Sequence, residues 1–206
     1  DALAPSPPTT LFAYDCVQRA FAYRRTFEEA LYPPVRACLE EAVRRDPGYA
    51  GAWAMLAFAH LDAARFGLVE PQAAAGELDA GLAAAQRAVV LAPESVRSLQ
   101  SLAALRYAHG DFAGAEEAQR QAIALNPHDP ESLAQLGWRL MARGRWDEGG
   151  ELMQEAIAHS LAAPTWYYEN LTYARYLAGD LTQARAAATL ASPNCCGFGH
   201  IVLALT

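Results

Sequence analysis

The chain has 206 residues, of which 53% are hydrophobic and 19% charged, and its formal net charge is −7. This content of apolar and aromatic side chains excludes a disordered polymer, and an acidic chain without a basic stripe argues against nucleic acid as a partner. No apolar run reaches the roughly 18 residues that a membrane-spanning helix needs, so no membrane insertion is expected.

Residues 1–10 include Pro5, Pro7 and Pro8, have no helical period and read as a linker. The chain starts at Asp1 and stops at Thr206 within an apolar run, so it is expected to be a piece of something longer. Residues 11–24 carry Leu11, Phe12, Tyr14, Val17, Phe21 and Tyr23 at amphipathic spacing, which predicts a helix. Thr26 followed by Glu29 has the residues of a capping box, which predicts a helix start there. Pro33-Pro34 interrupts, and proline is best placed in a helix's first turn, so the solid helix is expected from about 34 to Arg45, ending at Asp46-Pro47. These segments form a degenerate first hairpin over 11–47.

Further hairpins follow. Residues 50–95 read as a hairpin with an insertion at 64–75, holding Gly67 and Pro71, and with a partner helix from Glu77 to Leu91. Three more run over 96–129, 130–164 and 165–193, and 197–206 looks like one further first helix. A turn recurs through the series as Gly110-Asp111, Gly144-Arg145 and Gly179-Asp180, with separations of 34 and 35 (144 − 110 and 179 − 144). The stops Ala92-Pro93 and Asn126-Pro127 are also 34 apart (127 − 93).

Close approach of paired helices needs small residues where they cross. Those positions read Ala57, Ala103, Gly137 and Thr172 on first helices, and Gly81, Ala115, Gly149, Ala184, Ala88, Ala122, Ala156 and Ala191 on second helices. Trp53, Leu99, Leu133 and Tyr168 are expected to fill the space between layers.

A helical hairpin repeating at about 34 residues resembles the tetratricopeptide repeat. The resemblance covers 50–193 and implies an all-α superhelix of about four to five antiparallel hairpins, a single array over 11–206. A narrower likeness rests on Ala13-Tyr14-Asp15, on EEAVRRDPGYAGAWAMLA (40–57) and on PTWYYENLTYARYLAGD (164–180). It is similar to the repeat regions that follow TolB-like domains in bacterial adenylate/guanylate cyclase-type and CadC-like regulators. Such a context implies signalling or transcription regulation, and the expected compartment is the cytoplasm, as for a cyclase-like architecture, with the periplasm of a CadC-like one as the alternative.

In the repeat family the first helices line a concave groove that binds peptides. The family register carries this role onto Phe58, then Arg97, Gln100 and Tyr107, then Glu131, Trp138 and Met141, then Trp166, Glu169, Tyr173 and Tyr176. Ala54 and Leu61 share the register. The lining is aromatic and mildly acidic, and it lacks the Lys and Asn pattern of repeats that clamp a terminal carboxylate. The expected partner is a protein or peptide segment, or an upstream domain of the same chain. A small-molecule sensor is the alternative. An uncapped terminal helix with Ile201, Val202, Leu203 and Leu205 predicts homodimerisation through that end.

No signature of catalysis stands out. His60, His109, His128, His159 and His200 are scattered, without a metal-ligand pair on one helix. There is no Gly-rich phosphate loop and no GxSxG elbow, and no cofactor is expected. Glu28-Glu29, Glu40-Glu41 and Glu116-Glu117 read as solvated surface. Of the cysteines Cys16, Cys38, Cys195 and Cys196, none has a two-residue gap to another. The adjacent Cys195-Cys196 reads as two small thiols, so cysteine usage leaves the compartment open.

Overall fold

The computed structural model describes residues 11–191. The linker at 1–10, the Cys195-Cys196 pair and the terminal helix at 197–206, on which the dimer expectation rests, lie outside the described residues.

Ten α-helices and no strand make up the described chain. They form two compact units, divided after Leu125. The first unit holds α1 (Leu11–Thr26), α2 (Tyr32–Arg45), α3 (Ala50–Arg65), α4 (Ala74–Leu91), α5 (Val96–Ala108) and α6 (Phe112–Leu125). The second holds α7 (Pro130–Met141), α8 (Trp146–His159), α9 (Thr165–Leu177) and α10 (Leu181–Ala191). Odd-numbered helices are the first helices of their hairpins. Each packs against the even-numbered helix that follows it, and neighbouring hairpins stack within a unit.

The small crossing residues do what their size implies. All twelve are buried. Gly137 and Gly149 bring the α7 and α8 backbones into contact: a Cβ on Gly149 would stand 2.5 Å from the Gly137 carbonyl oxygen, and one on Gly137 2.8 Å from the Gly149 carbonyl oxygen. Of the larger residues, Leu99 and Leu133 are buried, whereas Trp53 and Tyr168 are half-buried.

The recurring turn has one backbone cause. Gly110, Gly144 and Gly179 adopt φ of +79°, +83° and +78°. This left-handed conformation ends a helix at little steric cost only for glycine. Asp111 and Asp180 then start the next helix. Their carboxylates accept from the backbone N–H groups of Gly114 and Gln183, each at 3.0 Å. Ser95 and Asp129 cap α5 and α7 in the same way.

The first hairpin departs from expectation at Thr26. Thr26 does not open a helix; it is the last residue of α1. Phe27 follows with φ of +52°, in the place where the other hairpins carry glycine. Its ring packs edge-on to Tyr23 at 5.8 Å and tilted on Phe66 at 5.2 Å, and these contacts offset the backbone cost. Tyr32 starts α2 two residues before Pro34, with proline in the first turn as expected. In the second hairpin α4 begins at Ala74, three residues ahead of Glu77, after a single 3-10 turn at Pro71–Ala73. Part of the insertion is therefore the first turn of α4.

Cys16 and Cys38 form a disulfide between α1 and α2. The 22-residue spacing carries no sequence signature. The bridge arises because two antiparallel helices bring the two residues to a Cα separation of 5.4 Å, well inside the range that a disulfide spans.

Candidate binding surface

In the first unit, arginines lie on aromatic rings along the first helices. Phe21 and Arg24 stand three apart on α1 and so share a face. The Arg24 guanidinium lies over the Phe58 ring of α3, 4.1 Å from its centroid. It also donates to Asp62 Oδ2 at 2.9 Å. Arg97 of α5 lies over the Phe21 ring at 4.8 Å. Each such stack contributes about 0.5–2 kcal/mol, more where water is excluded.

The Asp62 carboxylate that anchors this group is fully buried. Arg65 Nε stands 3.2 Å from its second oxygen. Burial pushes the Asp62 carboxyl above its ordinary value, against the pull of Arg24 and Arg65. A second charged group ties α2, α3 and α4 together. Glu77 accepts from Arg36 at 2.9 Å and faces His60 Nδ1 at 2.6 Å, while Arg36 also donates to the Tyr32 hydroxyl at 3.0 Å. Burial alone would raise the Glu77 carboxyl, but the hydrogen bonds from His60 and Arg36 outweigh it and hold it below its ordinary value.

In the second unit, Gln135 is a polar junction on α7. Its side-chain nitrogen donates to Glu131 Oε1 at 2.8 Å, and its oxygen accepts from Trp138 Nε1 at 2.9 Å and from Arg139 at 3.3 Å. The Tyr167 hydroxyl of α9 donates to the other Glu131 oxygen at 3.2 Å. Burial, then the Glu131 charge, pushes the Tyr167 phenol far up, so it stays a donor. The Trp166 ring meets Tyr167 edge-on at 4.4 Å. The network holds the half-buried Trp138 indole through Gln135 and Glu131. An open cleft of about 470 Å³ lies nearby, lined by Pro130, Glu131, His159, Leu161, Pro164 and Tyr167 among others.

No protein-family model matches the chain, and neither does any curated protein sequence. Solved structures do. The APC/C hetero-tetramer Cut9–Hcn1 aligns over 94% of this chain with a TM-score of 0.72 at 19% identity; the chain spans 36% of that protein. TTC0263, a thermophilic TPR protein of Thermus thermophilus, aligns over 87% of this chain and 89% of its own, with a TM-score of 0.67 at 17% identity. YrrB, described as a TPR protein with an unusual peptide-binding site, aligns over 94% and 92%, with a TM-score of 0.55 at 14% identity. The chain has the tetratricopeptide-repeat fold.

Within that fold the expected groove residues separate into three groups. Phe58, Gln100 and Met141 are buried. Phe58 lies under Arg24, so a partner would meet the guanidinium before the ring. Tyr107 and Tyr176 sit toward hairpin tips: Tyr107 packs on Phe112 at 5.1 Å, and Tyr176 packs on Ala184 and Ala188 of α10. Arg97, Glu131, Trp138, Trp166, Glu169 and Tyr173 are half-exposed on tetratricopeptide first helices.

Sequence reasoning missed Phe21, Arg24, Gln135 and Tyr167. Gln135 carried a signal, since it stands four after Glu131 and three before Trp138, the spacing of helix neighbours. Phe21 and Arg24 carried none, because the degenerate first hairpin fell outside the register. Among the described residues no helix is long and apolar enough to cross a membrane.

Proposed function

We propose that the chain is a protein-interaction module that takes a peptide segment on the faces of its first helices. The observation that carries this reading is the fixed, half-exposed Trp138. Its Nε1 is satisfied by Gln135, and Gln135 is held in turn by Glu131. An aromatic anchor whose rotamer is already fixed loses little freedom on binding. The peptide-binding site named for YrrB supports the same reading. Trp138, Trp166, Glu169 and Tyr173, all in the second unit, are the residues assigned to contact. The wider context we propose is a bacterial signalling or transcription-regulatory protein, on the strength of the likeness to repeats that follow TolB-like domains. The Cys16–Cys38 disulfide favours an oxidising compartment, and so the periplasmic member of that pair.

The test is a display library of amphipathic helical and extended apolar peptides, with wild type compared against Trp138→Ala/Tyr173→Ala. Selected peptides should bind the wild type and lose at least tenfold in affinity on the variant, at an unchanged melting temperature. Equal binding by a folded variant overturns the site.

The cleft beside Glu131 and Tyr167 supports a second reading, a sensor for a small ligand. A ligand that binds only the folded chain raises its melting midpoint. A small-molecule thermal-shift screen therefore separates the two, because hits that protect the Trp138→Ala/Tyr173→Ala variant equally belong to the cleft.

A further inference from the structure

We propose that His128 and His159 form a surface site for a divalent transition-metal ion of the zinc, nickel or copper class. His128 lies two residues before Pro130, the first residue of α7, and His159 is the last residue of α8. They are 31 residues apart in sequence, yet His128 Nδ1 stands 3.3 Å from His159 Nε2. The rings are tilted by 55°, with centroids 4.7 Å apart, so they are not stacked face to face.

Neither residue belongs to the apolar core, because both are exposed. Burial therefore does not force the rings together. What fixes His128 is its backbone: its N–H donates to Asn126 Oδ1 at 3.3 Å, and the next residue, Asp129, caps α7. His159 is held by the helix that it ends.

The separation of the two nitrogens is informative. A zinc–imidazole bond is about 2.0–2.1 Å long, and in a tetrahedral shell two such ligand atoms stand about 3.3–3.4 Å apart. The observed 3.3 Å is a hydrogen bond between the two rings, and its length also matches that edge. Glu155, one turn back on α8, places a carboxylate oxygen 3.6 Å from the same His159 nitrogen and adds negative charge beside the point the rings share. Among the described residues no cluster of three or more His, Cys, Asp or Glu side chains has the placement of a metal site. The proposed site takes the two imidazoles as its ligands from the described residues, with water completing the shell. Two nitrogen donors select late first-row ions over magnesium or calcium, which take oxygen. A bound ion would clip the segment before α7 to the end of α8.

The experiment uses the whole chain without an affinity tag, freed of metal by a chelator. Zinc is titrated calorimetrically, and copper(II) is followed by electron paramagnetic resonance for nitrogen coupling. One ion should bind per chain, with imidazole coupling in the copper spectrum. Loss of a first ligand should cost at least the tenfold or more that loss of an outer-shell partner costs, so His128→Ala and His159→Ala should each weaken zinc by about tenfold or more, while His109→Ala should leave it unchanged. Zinc should raise the melting temperature of the wild type and not that of His128→Ala/His159→Ala. The proposal is overturned if zinc binds the double variant as well as the wild type, if either single variant keeps full affinity, or if copper shows no imidazole coupling.

Discussion

In the first unit α1 and α2 are joined by a disulfide, and α1 meets α3 through the Arg24–Asp62 ion pair and the stacking of Arg24 on Phe58; in the second unit α7 and α8 meet backbone against backbone at Gly137 and Gly149. At the α7–α8 crossing two glycines let the helices approach closely enough for dispersion contacts. The degenerate hairpin also buries small residues, Ala13, Ala20 and Ala42, and adds a covalent bridge and charged contacts to that packing. The first hairpin thus adds a covalent bridge to its packing, whereas the α7–α8 crossing is built on close backbone approach.

The largest expected effect probes the covalent link. Closing a 22-residue separation removes about 3 kcal/mol of freedom from the unfolded chain. Cys16→Ala/Cys38→Ala should therefore lower the stability of the first unit by about 3 kcal/mol in urea unfolding followed by circular dichroism. A loss under about 1 kcal/mol would mean that the packing of α1 on α3 suffices without the bridge.

The backbone contact comes next. Gly149→Ala adds a Cβ 2.5 Å from a carbonyl oxygen that cannot move aside, and overpacking of this kind costs about 1–3 kcal/mol. Alanine's better helix propensity returns about 1 kcal/mol, so the net expectation is a destabilisation of up to about 2 kcal/mol. Gly76 on α4 is the control, because nothing lies within 4 Å of its added Cβ. Gly76→Ala should stabilise by about 0.5–1 kcal/mol. If both variants shift the unfolding midpoint in the same direction, close approach is not what sets the second unit apart.

The smallest effect is a slope. The folded chain holds the Asp62 carboxyl above its ordinary value of 3.8, so the folded state binds that proton more tightly than the unfolded state does. Stability from this group is complete below the ordinary value and is lost as pH rises through the raised one. Asp62→Asn removes the step, and the unfolding midpoint of the variant should fall less than that of the wild type across that window. Glu77 acts in the opposite sense: its carboxyl is held low, and its contribution is lost as pH falls. Parallel pH profiles for wild type and Asp62→Asn would show that the buried carboxylate titrates as it does in the unfolded chain.

The regular hairpins were legible because two of their requirements leave marks in a sequence. A left-handed residue calls for glycine, and a close crossing calls for a small side chain. Gly110, Gly144 and Gly179, with the twelve small positions, therefore mark where these helices end and cross. Phe27 breaks the code by taking the left-handed conformation without being glycine, and Thr26-Phe27-Glu28-Glu29 has the residues of a start although the chain stops a helix there. The Cys16–Cys38 and His128–His159 pairs were invisible because each depends on two segments meeting in space at a separation that carries no period. The groove register names a face, and Trp138 on that face is half-exposed. It does not show that Arg24 covers Phe58, since register says which way a residue points and not what lies on top of it.

Five first helices end in a left-handed residue: Phe27, Gly67, Gly110, Gly144 and Gly179. After Gly67 the chain runs from Leu68 to Ala73 before α4 begins, and the α3–α4 crossing at Ala57 and Gly81 is still closely packed. That joint is consequently a port into which a foreign sequence fits. A peptide tag or small reporter spliced between Val69 and Glu70, past the Leu68 and Val69 side chains that pack on the core, is expected to leave both helices in place. The same splice between Gly110 and Asp111 would separate the turn from the carboxylate that starts α6.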